Sequence, residues 1–212
     1  MEKQMSTKVE NQVEALMKET SAWTTGHFLL SSGLHSDKYM QCQRVMQYPE
    51  YGLTLARLLM QKVSDAGLAP TVIVGPALGA VHWEVYCAIA ANQIAGKTGM
   101  DQIRAVFAEK VEDGVFAIRR GVEIKAGEKV MVVEDVTTTG GSAKKVVQLL
   151  ENMGADVIAV GAIIDRSGGV AQFGRPFISL LELQLETYTA DACPLCKAGG
   201  KAVKPGSSVL TK

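Results

Sequence analysis

Apolar residues fall in two rhythms along the chain. Short unbroken runs rich in β-branched residues occur at Thr71-Val72-Ile73-Val74, Ile103-Arg104-Ala105-Val106-Phe107, Val130-Met131-Val132-Val133 and Asp156-Val157-Ile158-Ala159-Val160-Gly161-Ala162-Ile163-Ile164. Runs of this kind suit strands buried on both faces of a parallel sheet. Between them the spacing turns helical. Leu55, Leu58, Leu59 and Val63 share one face of a helix over 49–66, with Pro49 in its first turn and Gly67 closing it. A second helix is predicted over 80–94 and a third over 143–150. Strands and helices thus alternate from 71 to 164, which predicts an α/β fold with a doubly wound parallel sheet and helices on both faces.

The flanks are patterned differently. Residues 6–19 place Val9, Val13, Leu16 and Met17 on one face of a packing helix, and Trp23 to Leu30 reads as extended. Ser31-Ser32-Gly33 marks a turn, and Leu34-His35-Ser36-Asp37-Lys38-Tyr39 a polar continuation in which His35 and Lys38 read equally as a solvated hairpin. After the strand at 103–107 comes a charged loop, Ala108-Glu109-Lys110-Val111-Glu112-Asp113-Gly114, then 115–118 and 121–124, which look like a hairpin around Arg119-Arg120. A mobile charged loop at the carboxyl end of a strand suits a lid that closes on substrate. Phe177-Ile178-Ser179-Leu180-Leu181 gives a last strand, and the tail from Ala190 is rich in Gly, Pro and Lys.

Composition narrows the classes of function. The 212 residues suffice for one well-buried domain, 1–212, and would cramp two. Lys and Arg balance Asp and Glu at 22 each, so no basic excess points to nucleic acid and no charged block to a tail. An anionic substrate must therefore be met by local cations and backbone amides. The N-terminus lacks the apolar core of a signal peptide, and the longest apolar stretch, 72–81, is short and broken by Gly and Pro. A cytoplasmic protein with no membrane partner is expected. Of the four cysteines, Cys193 and Cys196 have CxxC spacing, while Cys42, Cys87 and the histidines His27, His35 and His82 lie far away in sequence. A four-ligand zinc site would need some of these to converge, and a redox CxxC normally opens a helix after a strand, whereas this one sits in the Gly-rich tail. The expectation is reduced structural cysteines with no metal ligand assigned, a metal or a disulfide staying open as the alternatives.

The chemistry concentrates in Val130 to Ser142. Behind the apolar run, where the strand is expected to end, stand Glu134 and Asp135, then Val136-Thr137-Thr138-Thr139-Gly140-Gly141-Ser142, then the helix. In open α/β sheets ligands bind at the carboxyl ends of strands, so acids, loop and helix start share one crevice. Glycines let successive N–H groups curl around an anion, and the helix start adds its dipole and unsatisfied amides. Carboxylates would repel a phosphate, so the acids better suit ribose hydroxyls or a metal-bound group beside it. A strand–turn–helix junction with acids capping the helix is the plain reading of a lone glycine pair; the full ordered set points to a sugar phosphate.

Val-Val-Glu-Asp-Val-Thr-Thr-Thr-Gly-Gly-Ser resembles the loop that binds 5-phosphoribosyl 1-diphosphate (PRPP) in type I phosphoribosyltransferases. The wider chain, from Gly26-His27-Phe28 to Lys204-Pro205-Gly206-Ser207, resembles the orotate phosphoribosyltransferases. The resemblance implies the type I fold, with a core at about 50–185 and a small N-terminal hood at 20–45 joined by the C-terminal segment. It also implies transfer of a phosphoribosyl group from PRPP to orotate in pyrimidine biosynthesis. Thr137 to Ser142, with Val136, would hold the 5-phosphate; Glu134 and Asp135 would hold the ribose hydroxyls. Lys110, on the lid, would meet the diphosphate, often across the interface of a homodimer. Thr138 and Arg166 would orient orotate, and Mg²⁺ would be carried mainly by PRPP. From the residues alone, Arg166 beside Gly168-Gly169 can fork two hydrogen bonds to a carboxylate or pair with Asp165.

The chain departs from the family at three places. Ser31 stands where a hood lysine is common, Gly79 where the turn Gly75-Pro76-Ala77-Leu78-Gly79 often has one, and Glu109 where the neighbour of the lid lysine is usually basic. His82, Trp83 and Glu84, on the helix after that turn, read as core or helix surface. Two other readings stay open: a purine phosphoribosyltransferase, which the missing lysines favour, and a non-catalytic PRPP-binding regulator.

Overall fold

The computed structural model describes residues 2–30 and 32–205; Ser31, Gly206 and Ser207 lie outside the described residues. In chain order the elements are α1 (Glu2–Glu19), β1 (Trp23–Leu29), β2 (His35–Met40), α2 (Gln43–Met46), α3 (Pro49–Asp65), β3 (Val72–Pro76), α4 (Val81–Ala95), β4 (Arg104–Lys110) and β5 (Phe116–Ala117). There follow β6 (Lys129–Thr137), α5 (Gly141–Asn152), β7 (Asp156–Asp165), β8 (Phe177–Glu182) and α6 (Pro194–Lys197).

The central sheet runs β5-β4-β3-β6-β7-β8 and is parallel except for the β4–β5 pair. Its uninterrupted apolar runs have a direct cause, seen best in β6. Met131 and Val133 face a core built with Leu55, Leu59, Trp83 and Ile163, while Val130 and Val132 face the other side, against Val146 and Leu150 of α5. With both faces covered, every position gains from an apolar side chain, each fully buried one contributing about 1.5–3 kcal/mol. Val13 and Met17 of α1 are fully buried, and Val9 and Leu16 pack on the same core.

Strand order reverses between β3 and β6. From β3 the chain goes outward to β4, then returns to the other side of β3 as β6. The crevice beyond the carboxyl ends of these two strands is the switch point where open α/β sheets bind ligands. Over it stands the hood, the antiparallel hairpin β1–β2, whose register shifts between Thr25 and Phe28. The C-terminal segment binds both of its strands. Leu29 N–H donates to Val203 O (2.9 Å) and Val203 N–H to His27 O (2.8 Å), while His35 and Tyr188 exchange backbone hydrogen bonds of 2.8 and 2.9 Å.

Two expectations are corrected. The hairpin around Arg119-Arg120 does not form. β5 instead folds back on the end of β4, pairing Lys110 with Phe116 across a turn at Gly114, and 121–124 contains no strand. Arg120, at φ 64°, leaves the extended region and ion-pairs with Glu109 at 2.6 Å, so the charged residues close the turn rather than cap a hairpin. Second, β6 does not stop at the acids. It stays paired with β7 through Thr137↔Asp165, which sets Glu134 and Asp135 inside the strand.

Candidate active site

Three loops meet at the switch point. The first leaves β6. Gly140 adopts φ 74°, and a Cβ there would lie 2.9 Å from the Phe173 ring, so both conformation and space call for glycine. α5 opens immediately behind it with no acidic residue in its first turn, so its free amides face the loop without competition. Thr137 to Ser142 line a cavity of about 300 Å³, with Lys110, Glu134, Val136 and Lys145 also on its wall. Thr137 Oγ1 is buried there without a hydrogen-bond partner. The predicted loop residues and the predicted lysine therefore converge, and Lys110 reaches the cavity of its own chain.

Of the two acids, Glu134 lines this cavity, while Asp135 lines neither cavity and faces Gly79. Glu134 Oε2 is buried and unpartnered, and burial, with a smaller push from Asp135, raises its pKa to about 8. Burial also raises Asp135, although the Val136 N–H donates to its Oδ1 at 2.8 Å and partly offsets this. Ligand hydroxyls or a nearby cation would relieve both groups.

The second loop follows β3, and its Ala77–Leu78 peptide is cis. Gly79 faces the acids: a Cβ on it would stand 3.4 Å from Asp135 Oδ1. Gln43 Nε2 donates to Gly79 O at 2.6 Å, and His82 Nδ1 lies 3.2 Å from Gln43 Oε1, so His82 braces the turn from an exposed position. Trp83 and Glu84 are core, as expected. Glu84 accepts the Gly75 N–H at 2.9 Å, and burial raises its pKa to about 8.

The third loop follows β7. Arg166 lines a second cavity of about 460 Å³ under the hood, walled by Tyr39, Leu185, Thr187 and Lys204, and Thr138 and Thr139 line this cavity as well as the first. Arg166 is not paired with Asp165, whose Oδ1 instead accepts the Ser167 N–H at 2.7 Å. Its Nε is buried without a hydrogen-bond partner, and burial lowers its pKa from the usual guanidinium range. A planar cation held this way is open to a planar anion.

Sequence reasoning missed several wall residues. Tyr39, rather than Lys38, turns toward the second cavity, and a two-residue side-chain period was the available signal. Lys145 was read only as helix, although it sits near the start of α5 behind the glycines, where a cation can reach a loop-bound anion. Lys204 and Pro205 come from the tail, and no local pattern links them to the crevice.

A family model for the phosphoribosyl transferase domain matches residues 44–188. The orotate phosphoribosyltransferase of Caldanaerobacter subterraneus subsp. tengcongensis is 46% identical over 210 residues, covering 99% of this chain and all (100%) of that protein. That of Thermotoga maritima is 46% identical over 198 residues, covering 93% and 99%. Among solved structures, Mycobacterium tuberculosis orotate phosphoribosyltransferase in complex with 5-phospho-alpha-D-ribosyl 1-diphosphate is similar at 25% identity and a TM-score of 0.59, over 81% of this chain and 96% of that one.

Proposed function

The chain belongs to the orotate phosphoribosyltransferases, a branch of the phosphoribosyl transferase family, and we propose from that premise how its crevice transfers a phosphoribosyl group from PRPP to orotate. The observation that carries the assignment of roles is the pair of adjoining cavities sharing Thr138 and Thr139. One is lined by a hydroxyl- and amide-rich loop suited to a phosphate, the other by a half-buried arginine whose Nε has no partner, suited to a carboxylate.

The 5-phosphate binds Thr137 to Ser142 and the amides at the start of α5. Glu134 and Asp135, ionised once ligand is present, accept hydrogen bonds from the ribose hydroxyls. Arg166 forks onto the orotate carboxylate and aims the ring nitrogen at the anomeric carbon. The nitrogen–carbon bond forms as the bond from carbon to the diphosphate oxygen breaks, and the proton carried by that nitrogen passes to the departing diphosphate or to water, giving orotidine 5′-monophosphate and diphosphate. Positive charge develops on the ribose as it is displaced, and the two acids stabilise it while Lys110 faces the departing diphosphate and Lys145 the phosphate held by the loop. A Mg²⁺ carried mainly by the oxygens of PRPP and by water would have Glu134 and Asp135 alongside. Bound in that way, the ion supplies charge neutralisation on the leaving group.

A homodimer in the cytoplasm completes the proposal. On α4 and beyond it, Val85, Ile89 and Met100 are exposed at 42%, 41% and 100%, an apolar face that a second copy would cover. No helix among the described residues is long and apolar enough to cross a membrane. The test is the loss of orotate absorbance in the ultraviolet on adding PRPP and Mg²⁺, with adenine, guanine, hypoxanthine and xanthine as rival acceptors. Consumption of a purine in place of orotate would overturn the assignment, as would binding of PRPP without turnover of any base.

A further inference from the structure

Cys193 caps the short helix α6 and Cys196 lies within it, so the pair does open a helical turn, contrary to its reading as plain tail. Opposite the two thiols stand two hood histidines, His27 from β1 and His35 from β2. Cys193 Sγ lies 3.5 Å from His27 Nε2, Cys196 Sγ lies 3.6 Å from the same nitrogen and 3.3 Å from His35 Nδ1, and the two nitrogens are 2.9 Å apart. All four potential ligand atoms fall within 4.8 Å of one another. In a tetrahedron with ordinary zinc–sulfur and zinc–nitrogen bonds, sulfur and nitrogen are about 3.5 Å apart and two nitrogens roughly 3.4 Å. The three sulfur–nitrogen distances match those edges, and a small separation of the two imidazoles would bring the nitrogens to theirs.

We propose that His27, His35, Cys193 and Cys196 bind one Zn²⁺ in a closed, structural site separate from the catalytic crevice. Two sulfurs and two imidazole nitrogens in a tetrahedral arrangement select zinc over hard cations, which take oxygen ligands. On binding, both thiols release their protons to solvent. Two thiolates, two neutral imidazoles and one dication give a centre with no net charge, which suits its burial: Cys193 is fully buried and His35 nearly so. His27 binds through Nε2, so its proton stays on Nδ1, packed beside Gly200. A Cys193–Cys196 disulfide would satisfy neither histidine, and both cysteines are free thiols.

The position of the site gives it a purpose. Among the described residues, hood and tail are also joined by four backbone hydrogen bonds and by Ser36 Oγ, which donates to Glu186 O at 2.9 Å, and the tail then runs on to Lys204 and Pro205 on the wall of the second cavity. Zinc crosslinks both hood strands to the start of that tail. On the reading of the second cavity as the orotate pocket, the metal positions one of its walls.

The untagged full-length chain, purified without chelators, should carry about one zinc per chain by inductively coupled plasma mass spectrometry. Exchange of Co²⁺ for the metal should produce thiolate-to-cobalt charge-transfer bands in the near ultraviolet and strong tetrahedral d–d bands in the visible. The variant carrying both Cys193→Ser and Cys196→Ser should lose the metal and those bands. Its KM for orotate should rise severalfold while its KM for PRPP changes little. A wild-type chain that holds no zinc and gives no thiolate–cobalt bands would overturn the proposal, and so would a double variant that keeps the wild-type metal content. If the double variant does not fold, the wild-type metal content and cobalt spectrum decide alone. Metal bound as expected in a chain that does not turn over orotate would sink the pocket assignment and leave the zinc site standing.

Discussion

Lys145 Nζ donates a 2.9 Å hydrogen bond to the Gly114 carbonyl, tying the N-terminal part of α5 to the turn that follows Lys110. The loop proposed to bind phosphate and the turn at Gly114 are thereby joined beside the first cavity. Removing either cation should hurt, in different ways. Lys110→Ala should lower kcat by about 10²–10³-fold, the usual cost of losing a donor aimed at developing charge, with little change in orotate KM. Lys145→Met loses an exposed tether worth about 1 kcal/mol, so the expected effect is a roughly fivefold higher KM for PRPP with kcat nearly kept. Steady-state kinetics in both substrates separates the two; equal effects on kcat would contradict the division of roles.

Arg166 should act on the base alone. Its Nε is buried and unpartnered, so truncation removes a binding group without breaking an internal bond. Arg166→Ala should raise the orotate KM by about 10–100-fold, the range for a lost charge-assisted hydrogen bond, with PRPP affinity unchanged. Arg166→Lys should recover little of the loss, because an ammonium cannot fork onto a carboxylate. Isothermal titration with orotate and with PRPP checks both statements.

Gly140→Ala meets two obstacles, a φ of 74° and the Phe173 ring 2.9 Å from the new methyl. A non-glycine residue in this region costs about 1–2 kcal/mol before any contact is counted. The loop should shift, and PRPP binding should weaken by tenfold or more. Adding Phe173→Leu relieves the contact and leaves the dihedral cost, so the double variant should recover only part of the affinity.

How much of this was legible depended on whether the signal was local. Val130 to Ser142 carries strand, acids, glycines and helix start in one continuous stretch, and there sequence order equals spatial order. Runs such as Val72-Ile73-Val74 revealed a doubly covered sheet because burial on both faces leaves no polar alternation. The lid was misread for a physical reason: 115–118 and 121–124 both have strand-like composition, but Lys110 pairs with Phe116 and uses up the available edge. Lys204, Tyr39 and the meeting of His27 and His35 with the CxxC pair depend on how the tail crosses the hood, contacts spanning more than 150 residues that no window of sequence contains.

Glu134 predicts an alkaline rise in activity. Burial lifts its pKa to about 8, and only the ionised form accepts hydrogen bonds from both ribose hydroxyls or sits favourably beside a cation. The kcat/KM for PRPP, which reports the free enzyme, should therefore climb about tenfold per pH unit below that value and level off above it. Glu134→Gln should give a lower and flat profile. A wild-type profile already level from pH 6 upward would show that Glu134 ionises normally.

Glu84 makes the opposite contribution, to stability, and can be isolated because it supports the turn after β3 from behind without lining either cavity. Its carboxyl sits against the Gly75 N–H with a pKa raised by burial from 4.5 to about 8. Between those two values the folded chain holds a proton on Glu84 that the unfolded chain has released, so unfolding releases protons and stability must fall as pH rises. The slope approaches about 1.4 kcal/mol per pH unit in the middle of the window and vanishes at both ends. Glu84→Gln keeps an acceptor for the Gly75 N–H and removes the proton, so its stability should lack this component. Glu134 pushes in the same direction in both proteins and cancels from the difference. Thermal unfolding at pH 5, 6, 7 and 8 should thus show the variant gaining on wild type by a few degrees per unit, since about 1 kcal/mol moves the midpoint of a chain this size by roughly 2–4 °C. A gap that stays constant across that range would mean Glu84 is ionised throughout, and its burial would then need a cation that the turn does not show.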